Sequence, residues 1–501
     1  MVPATATSTE AAEPVQPTPS GTGPHDPPNY LDRAALPIVL CFFASAAVWL
    51  LVGSALWLLA LLQAADPYAG LSFRDFPGLT FGRVYPAALH IFVYGWASLT
   101  GLGCLTWVFS RLNARPLRDP LWFIFGILTW DCGVAFGTLR ILGGGSTGRE
   151  WLEYPPETAF FVLLGELIIA ACLIGNFLRR SQGRTHPAQW FGLAALLWFA
   201  WSYTTANGLL GVAAAGGVAE PTVQYWYQGC LFSLWLVPLG LALAHYLVPR
   251  IAGRPLYSRS LALIGFWGLA ALGGLTGLTA VIGGPLPAWM ITVSIVARVL
   301  LVIPILAIAA NLHLTVKGRF ELIKWNLVGR FVIVGAMLLG LAAFWDAVNA
   351  TRTISRITQF TWATPARLNL LLFGFFCLVT FGAIYYILPR VLGRVWQYAT
   401  YIRWQFWLLI VGLGLLVFDQ TIAGVIQGLG LEDPKVEFPA ILDLIAPFLW
   451  GQWFAAIVLV VSNVLGVWAL LTVIVNPIWQ PARAVYVEPV LEFSGEEVTV
   501  A

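Results

Sequence analysis

About twelve long apolar segments follow one another along this chain, each near the roughly 20 residues that a helix needs to cross a lipid bilayer. Lipid cannot satisfy exposed backbone polar groups, so only helices or closed barrels span it, and long continuous runs rather than short alternating ones imply helices. The segments are Pro37 to Leu62, Pro86 to Phe109, Leu121 to Leu142, Thr158 to Phe177, Gln189 to Val212, Thr222 to Val248, Leu261 to Val281, Trp289 to Val316, Leu327 to Ala347, Leu368 to Leu388, Trp404 to Ile426 and Leu449 to Val475. The fold expected is therefore all-α and integral to the membrane, a twelve-helix transmembrane bundle. The break around Pro285 and Pro287 is the weakest of the divisions.

Composition agrees with that reading. Hydrophobic residues make up 59% of the 501 and charged residues only 10%, which excludes an ordinary water-soluble globule, and a net charge of +3 gives no reason to expect nucleic acid as a partner. Residues 1–30, rich in Pro, Thr, Ala and Ser, read as a disordered tail, residues 31–478 as the membrane domain and residues 479–501 as a second tail. The first apolar run is too long for a cleaved signal and is expected to remain as a helix. Cys41, Cys104, Cys132, Cys172, Cys230 and Cys377 lie in separate apolar runs without a CxxC or CxxCH pair, so buried packing is expected of all six.

Cationic loop residues set the orientation. About seventeen arginines and lysines fall on the side of both tails, among them Arg33, Arg111, Arg179, Arg250, Lys317, Arg390 and Arg483, against about seven on the other side. Both termini are thus expected in the cytoplasm and the chain in the cell inner (cytoplasmic) membrane, with the acidic loops Glu150 to Glu157 and Glu432 to Glu437 outside.

Charges within the apolar runs are costly, so each is a candidate functional residue: Asp131, Glu166, Arg298, Asp346 and Asp419, with Arg367 at the entrance of the tenth run. They could form a proton path or face a cofactor propionate. Interhelical ion pairs, such as Arg298 with a carboxylate, are favoured, because no carboxylate pair at helical spacing marks a relay. Of five histidines, His25 is in the tail, His186 in a loop and His313 at a helix end, while His90 and His245 lie within apolar runs at opposite depths. Their separation argues against one shared iron. Met290, near the start of the eighth run, could pair with His90.

Five stretches carry a resemblance: GRVYPAALHIFVYGWA at Gly82 to Ala97, VQYWYQGCLF at Val223 to Phe232, AGRPLYSRSLALIGFW at Ala252 to Trp267, FGAIYYILPRVLGR at Phe381 to Arg394 and AGVIQG at Ala423 to Gly428. In order and spacing they resemble the catalytic subunit I of cbb3-type haem-copper oxidases and the related nitric oxide reductases. That resemblance implies the subunit I bundle, a low-spin haem held by two histidines, a high-spin haem held by one and a copper held by three.

The same resemblance sets residues at those ligand positions that are not histidine. In the second helix the position falls on Ala88, and His90, two residues on, is rotated by about 200°. Gly229 stands at a copper position in the sixth helix, Thr279 and Ala280 at the paired copper positions in the seventh, and Gly273 at the tyrosine. The paired haem positions of the tenth helix fall on Arg367 and Asn369, flanking Leu368. Guanidinium has no free lone pair and an amide is a poor donor to iron. The small residues Gly229, Gly273 and Ala280 leave space to be refilled by side chains, lipid or a ligand.

Three functions follow as expectations. The first is a subunit I-like protein without redox centres or cofactor, acting as scaffold or accessory subunit of a respiratory complex, in contact with lipid, other membrane or c-type cytochrome subunits and a quinone. The second is an oxidase or reductase retaining haem b at His90. The third is proton or ion transport through Asp131, Glu166, Arg298 and Asp419.

Overall fold

The computed structural model describes residues 30–475 except 67, 70–75, 182, 395 and 397. His25 and both expected tails lie outside the described residues, apart from Tyr30, which already belongs to the first helix. Among the described residues there is helix but no strand.

Among the described residues, eleven helices are long and apolar enough to cross a membrane. They are α1 (Tyr30–Ala65), α2 (Phe81–Asn113), α3 (Pro120–Leu142), α4 (Pro156–Leu178), α6 (Ala219–Ala252), α7 (Arg259–Val281), α8 (Ala288–Val316), α9 (Leu327–Asn349), α10 (Ala363–Leu392), α11 (Ala399–Glu432) and α12 (Phe438–Val475). The expected fifth span is α5 (Pro187–Asn207), continued by a π turn, Gly208–Val212. It is helical but less apolar than the others, since it spends positions on Gln189, Ser202, Thr204, Thr205 and Asn207.

Local chemistry explains the ends. Proline opens α3, α4 and α5, where its missing N–H costs nothing. Ser258 and Asn326 cap α7 and α9 through their side-chain oxygens. Pro285 and Pro287 do separate α7 from α8, as the sequence suggests. Several helices begin earlier than expected: α1 at Tyr30 rather than Pro37, α2 at Phe81 rather than Pro86, α10 at Ala363 rather than Leu368, α11 at Ala399 rather than Trp404 and, by the widest margin, α12 at Phe438 rather than Leu449. Pro447 stays inside α12, and Pro365 lies in the first turn of α10, where the lost donor is tolerated.

One local pattern occurs twice. Tyr246-Leu-Val-Pro-Arg-Ile-Ala-Gly253 ends α6, and Tyr386-Ile-Leu-Pro-Arg-Val-Leu-Gly393 ends α10. In each, the arginine lies over the tyrosine ring at 3.6 Å and donates to the tyrosine carbonyl, and the glycine closes the helix at φ near +60°. A left-handed C′ residue satisfies the last carbonyls, and glycine adopts it without strain.

The centre of the bundle is α2, α6 and α10, whose apolar windows are 94–100% buried. The others surround them, with α1 against α12 and α2, α3 against α4, and α11 against α12. Each central helix carries a π-helical stretch, at Ile91–Ser98, Leu231–Leu236 and Leu370–Cys377. Such stretches shift the side-chain register locally and recur at functional sites. The cysteine expectation needs correction: Cys104, Cys230 and Cys377 are buried, Cys41 and Cys172 half-buried, and Cys132 exposed. Cys132 lies on the outer face of α3, where an apolar residue meets lipid as readily as protein.

Candidate functional site

At one end of the bundle residues of α2, α6, α7, α8, α9, α10 and α11 line a cavity of about 350 Å³. This is the end bearing the 143–155 and 350–362 loops. Thr279, Ala280, Arg367 and Asn369 line it, and Gly229 lines a smaller chamber of about 60 Å³ that shares Gln228, Phe232, Arg298, Arg367 and Leu368 with the first. Residues from four places in the sequence thus meet at one site. Ala88 does not join them; it is fully buried in the main core.

The space expected at Gly229 and Gly273 is filled by protein. A Cβ on Gly229 would lie 2.6 Å from the backbone nitrogen of Gly277, and one on Gly273 would lie 2.7 Å from Leu234. The cause is the end of α7, which unwinds into 3-10 turns at Gly273–Leu275 and Gly277–Val281 and swings its backbone against α6. The open volume lies instead towards Thr279 and Arg367.

The electrostatic centre is a triad. Arg298 on α8 donates through Nη1 to Asp346 Oδ1 on α9 at 3.0 Å, Arg367 on α10 donates to the same oxygen, and Arg298 Nη2 donates to the Thr276 carbonyl at 2.7 Å. Arg298 is 8% exposed, and its Nε has no hydrogen-bond partner. Two guanidinium groups against one carboxylate leave one positive charge in excess. Asn369, which the resemblance sets at a haem position, donates through Nδ2 to Gln420 at 3.0 Å.

His90 faces away from the cavity. Its Nδ1 lies 3.0 Å from the Pro86 carbonyl and its Nε2 3.0 Å from Glu153 Oε2, with Tyr94, Trp151 and Tyr154 packed around the ring. Its ring is therefore engaged by the 143–155 loop rather than by Met290. His245, stacked on Phe191 with Nδ1 on the Leu241 carbonyl, lines neither chamber. Among the described residues, no three His, Cys, Asp or Glu side chains are grouped so as to hold a metal ion.

The other charged candidates are dispersed. Asp131 accepts from Ser45 Oγ at 2.6 Å and Trp49 Nε1 at 2.8 Å, joining α3 to α1. Glu166 is fully buried with both oxygens unpartnered. Asp419 packs over Gly451 on α12. None of the three lines the cavity.

Several site residues were missed in the sequence. Gln228 lay within VQYWYQGCLF without being singled out, Thr276 carried no motif, and Glu150 and Glu153 lay in a loop expected to be acidic and external. The loop packs against the bundle: Arg149 Nε donates to Glu220 at 2.6 Å, Tyr94 Oη to the Trp151 carbonyl at 3.0 Å, and Glu153 is 8% exposed. Trp151 and Phe360, both on the cavity wall, hold left-handed φ of 67° and 58°, uncommon for aromatic residues. Burial pushes the Glu153 carboxyl well above the usual range, with repulsion from Glu150 adding to it. Its proton is therefore held more tightly folded than unfolded, and this contribution to stability is lost as pH rises from the unfolded value through the folded one. Melting in detergent should accordingly fall as pH is raised above about 4.3, and Glu153→Gln should flatten that slope.

These geometric facts can be set beside known proteins. The family model described as cytochrome c and quinol oxidase polypeptide I matches residues 37–479. The chain belongs to this family. It is 25% identical over 393 residues to cytochrome c oxidase subunit 1 of Rhodobacter capsulatus, covering 76% of this chain and 73% of that one. It is 24% identical over 399 residues to the cbb3-type cytochrome c oxidase subunit CcoN1 of Stutzerimonas stutzeri, covering 78% and 84%. In three dimensions it is similar to a chain of a heme-copper terminal oxidase dimer, with a TM-score of 0.72 at 13% identity over 94% of this chain and 88% of the other. This subunit I-like chain is therefore an integral membrane protein with the haem-copper oxidase fold.

Proposed function

We propose that this subunit I-like protein has lost its redox centres and serves as a scaffold or accessory subunit of a respiratory electron-transfer complex in the cytoplasmic membrane, with both termini in the cytoplasm. One observation carries the reading: Arg367 and Asn369, which the resemblance sets at the two haem positions of α10, are already committed to Asp346 and Gln420. The haems and copper of the family do not fit the residues around the cavity. Its polar side chains are cations, amides, hydroxyls and the Glu150 carboxyl, with no histidine among the lining residues, and a guanidinium offers iron no lone pair. The relatives in Rhodobacter and Stutzerimonas are named as oxidase subunits, which supports membrane subunits as partners here.

The deciding measurement is a pyridine haemochrome and reduced-minus-oxidised spectrum of the purified protein, with iron and copper analysis. The expected result is no haem band and metal far below one per chain. Stoichiometric haem would overturn the reading and restore an oxidase or reductase. Affinity isolation from native membranes should recover other respiratory subunits with the protein.

A further inference from the structure

We infer that the cavity lined by Arg298 and Arg367 at this end of the bundle is a binding site for a small organic monocarboxylate with an apolar body. The wall carries two guanidinium groups, which share Asp346 as their ion-pair partner. Arg298 presents a buried, unpartnered Nε, and Arg367 uses only Nη1, leaving its Nε and Nη2 edge without a hydrogen bond among the described residues. That edge is the planar fork that matches a carboxylate through two parallel bonds. Both arginines line the cavity, so its positive charge is directed at whatever enters.

The remaining wall selects the rest of the ligand. Tyr85, Leu89, Trp362 and Leu372 give an apolar lining, while Thr358, Gln359 and Thr361 make a polar rim at the loop end. A volume of about 350 Å³ is in the range of small-molecule sites and exceeds what a halide needs. Gln359 donates to the Ala280 carbonyl, holding the rim to the end of α7. Glu150 is a further acid on this wall; burial raises its carboxyl above the usual range, against the hydrogen bond of Trp151 and the pull of Arg367.

The inference rests on the reading that no haem occupies this space. A haem spectrum overturns that reading, whereas haem-free protein that fails to bind the probe overturns this one alone.

The test is equilibrium dialysis of the purified full chain in detergent with radiolabelled benzoate, and with acetate, chloride and inorganic phosphate as competitors. Saturable benzoate binding is expected, with acetate competing more weakly for want of an apolar body. Arg367→Gln should weaken binding about 10-fold or more, and Arg367→Lys, which keeps the charge but loses the fork, by less. Phe360 is 71% exposed at the mouth and supplies a readout independent of the triad. Phe360→Lys should tighten binding and Phe360→Glu weaken it. Absence of saturable binding, wild-type affinity in Arg367→Gln, or equal affinities in the two Phe360 variants would overturn the site. Phosphate or chloride competing as well as benzoate would overturn the carboxylate assignment.

Discussion

Asp346→Asn is expected to destabilise the protein by about 3 kcal/mol or more, because it leaves two guanidinium groups facing one another in a partly desolvated site without their shared counter-charge. Arg298 is 8% and Arg367 15% exposed at the side chain, so water can screen neither fully. The contrast with Arg367→Gln is the informative part. That change leaves Arg298 and Asp346 as a neutral pair, still joined at 3.0 Å, and should cost no more than about 1 kcal/mol. Thermal unfolding in detergent, followed by thiol-reactive dye or by loss of the monodisperse chromatographic peak, separates the two. Equal losses in both variants would show that the triad acts through packing rather than charge balance.

Gly428→Val should be the most damaging single change away from the triad, at about 3 kcal/mol through overpacking. A Cβ at Gly428 would fall well inside contact distance of the Ile357 carbonyl, and one at Gly424 would do the same to the Ala363 nitrogen. Gly424 and Gly428 are four residues apart on one face of α11 and let it lie directly against the segment that leads into α10, the small-xxx-small pattern of close membrane helices. Gln427, between them, accepts from the Trp362 amide at 3.1 Å. Because this contact seats the first turn of α10, Gly428→Val should also displace Arg367 and reduce benzoate retention along with the melting temperature. Leu429→Val, at an exposed neighbouring position, is the control and should change neither.

These glycines show what could be read in advance. AGVIQG was legible as a family segment, yet its physical purpose, backbone contact with the entrance of α10, required knowing which helix lies beside α11. FGAIYYILPR was similarly recognisable, and the second copy of its tyrosine–proline–arginine–glycine ending on α6 shows why: it is a helix terminator complete within eight residues. Helix ends that depend on tolerated prolines were misplaced, as at Pro365 and Pro447, because a bundle can satisfy the freed carbonyls from neighbours invisible in the local sequence.

The candidate site was legible in its parts but not in its assembly. Arg298, Asp346 and Arg367 were each conspicuous as charges in apolar runs. Their union was not, since Arg298 and Asp346 are 48 residues apart and Asp346 and Arg367 are 21 apart on three different helices. Glu153 was read as part of an external acidic loop, and nothing in its spacing signals that Tyr94 and Arg149 hold that loop against the bundle at His90.

Segment length and hydropathy alone specify that the chain enters a membrane as a bundle of helices, because the bilayer imposes its thickness on every span separately and backbone hydrogen bonds close within each helix. Family segments add which bundle it is. Pairing of charges, refilling of the space at Gly229 by the unwound end of α7, and the position of the remaining cavity depend on how the helices rotate and pack against one another. Those are long-range choices, made by side chains that meet only after the spans assemble, and no local pattern encodes them.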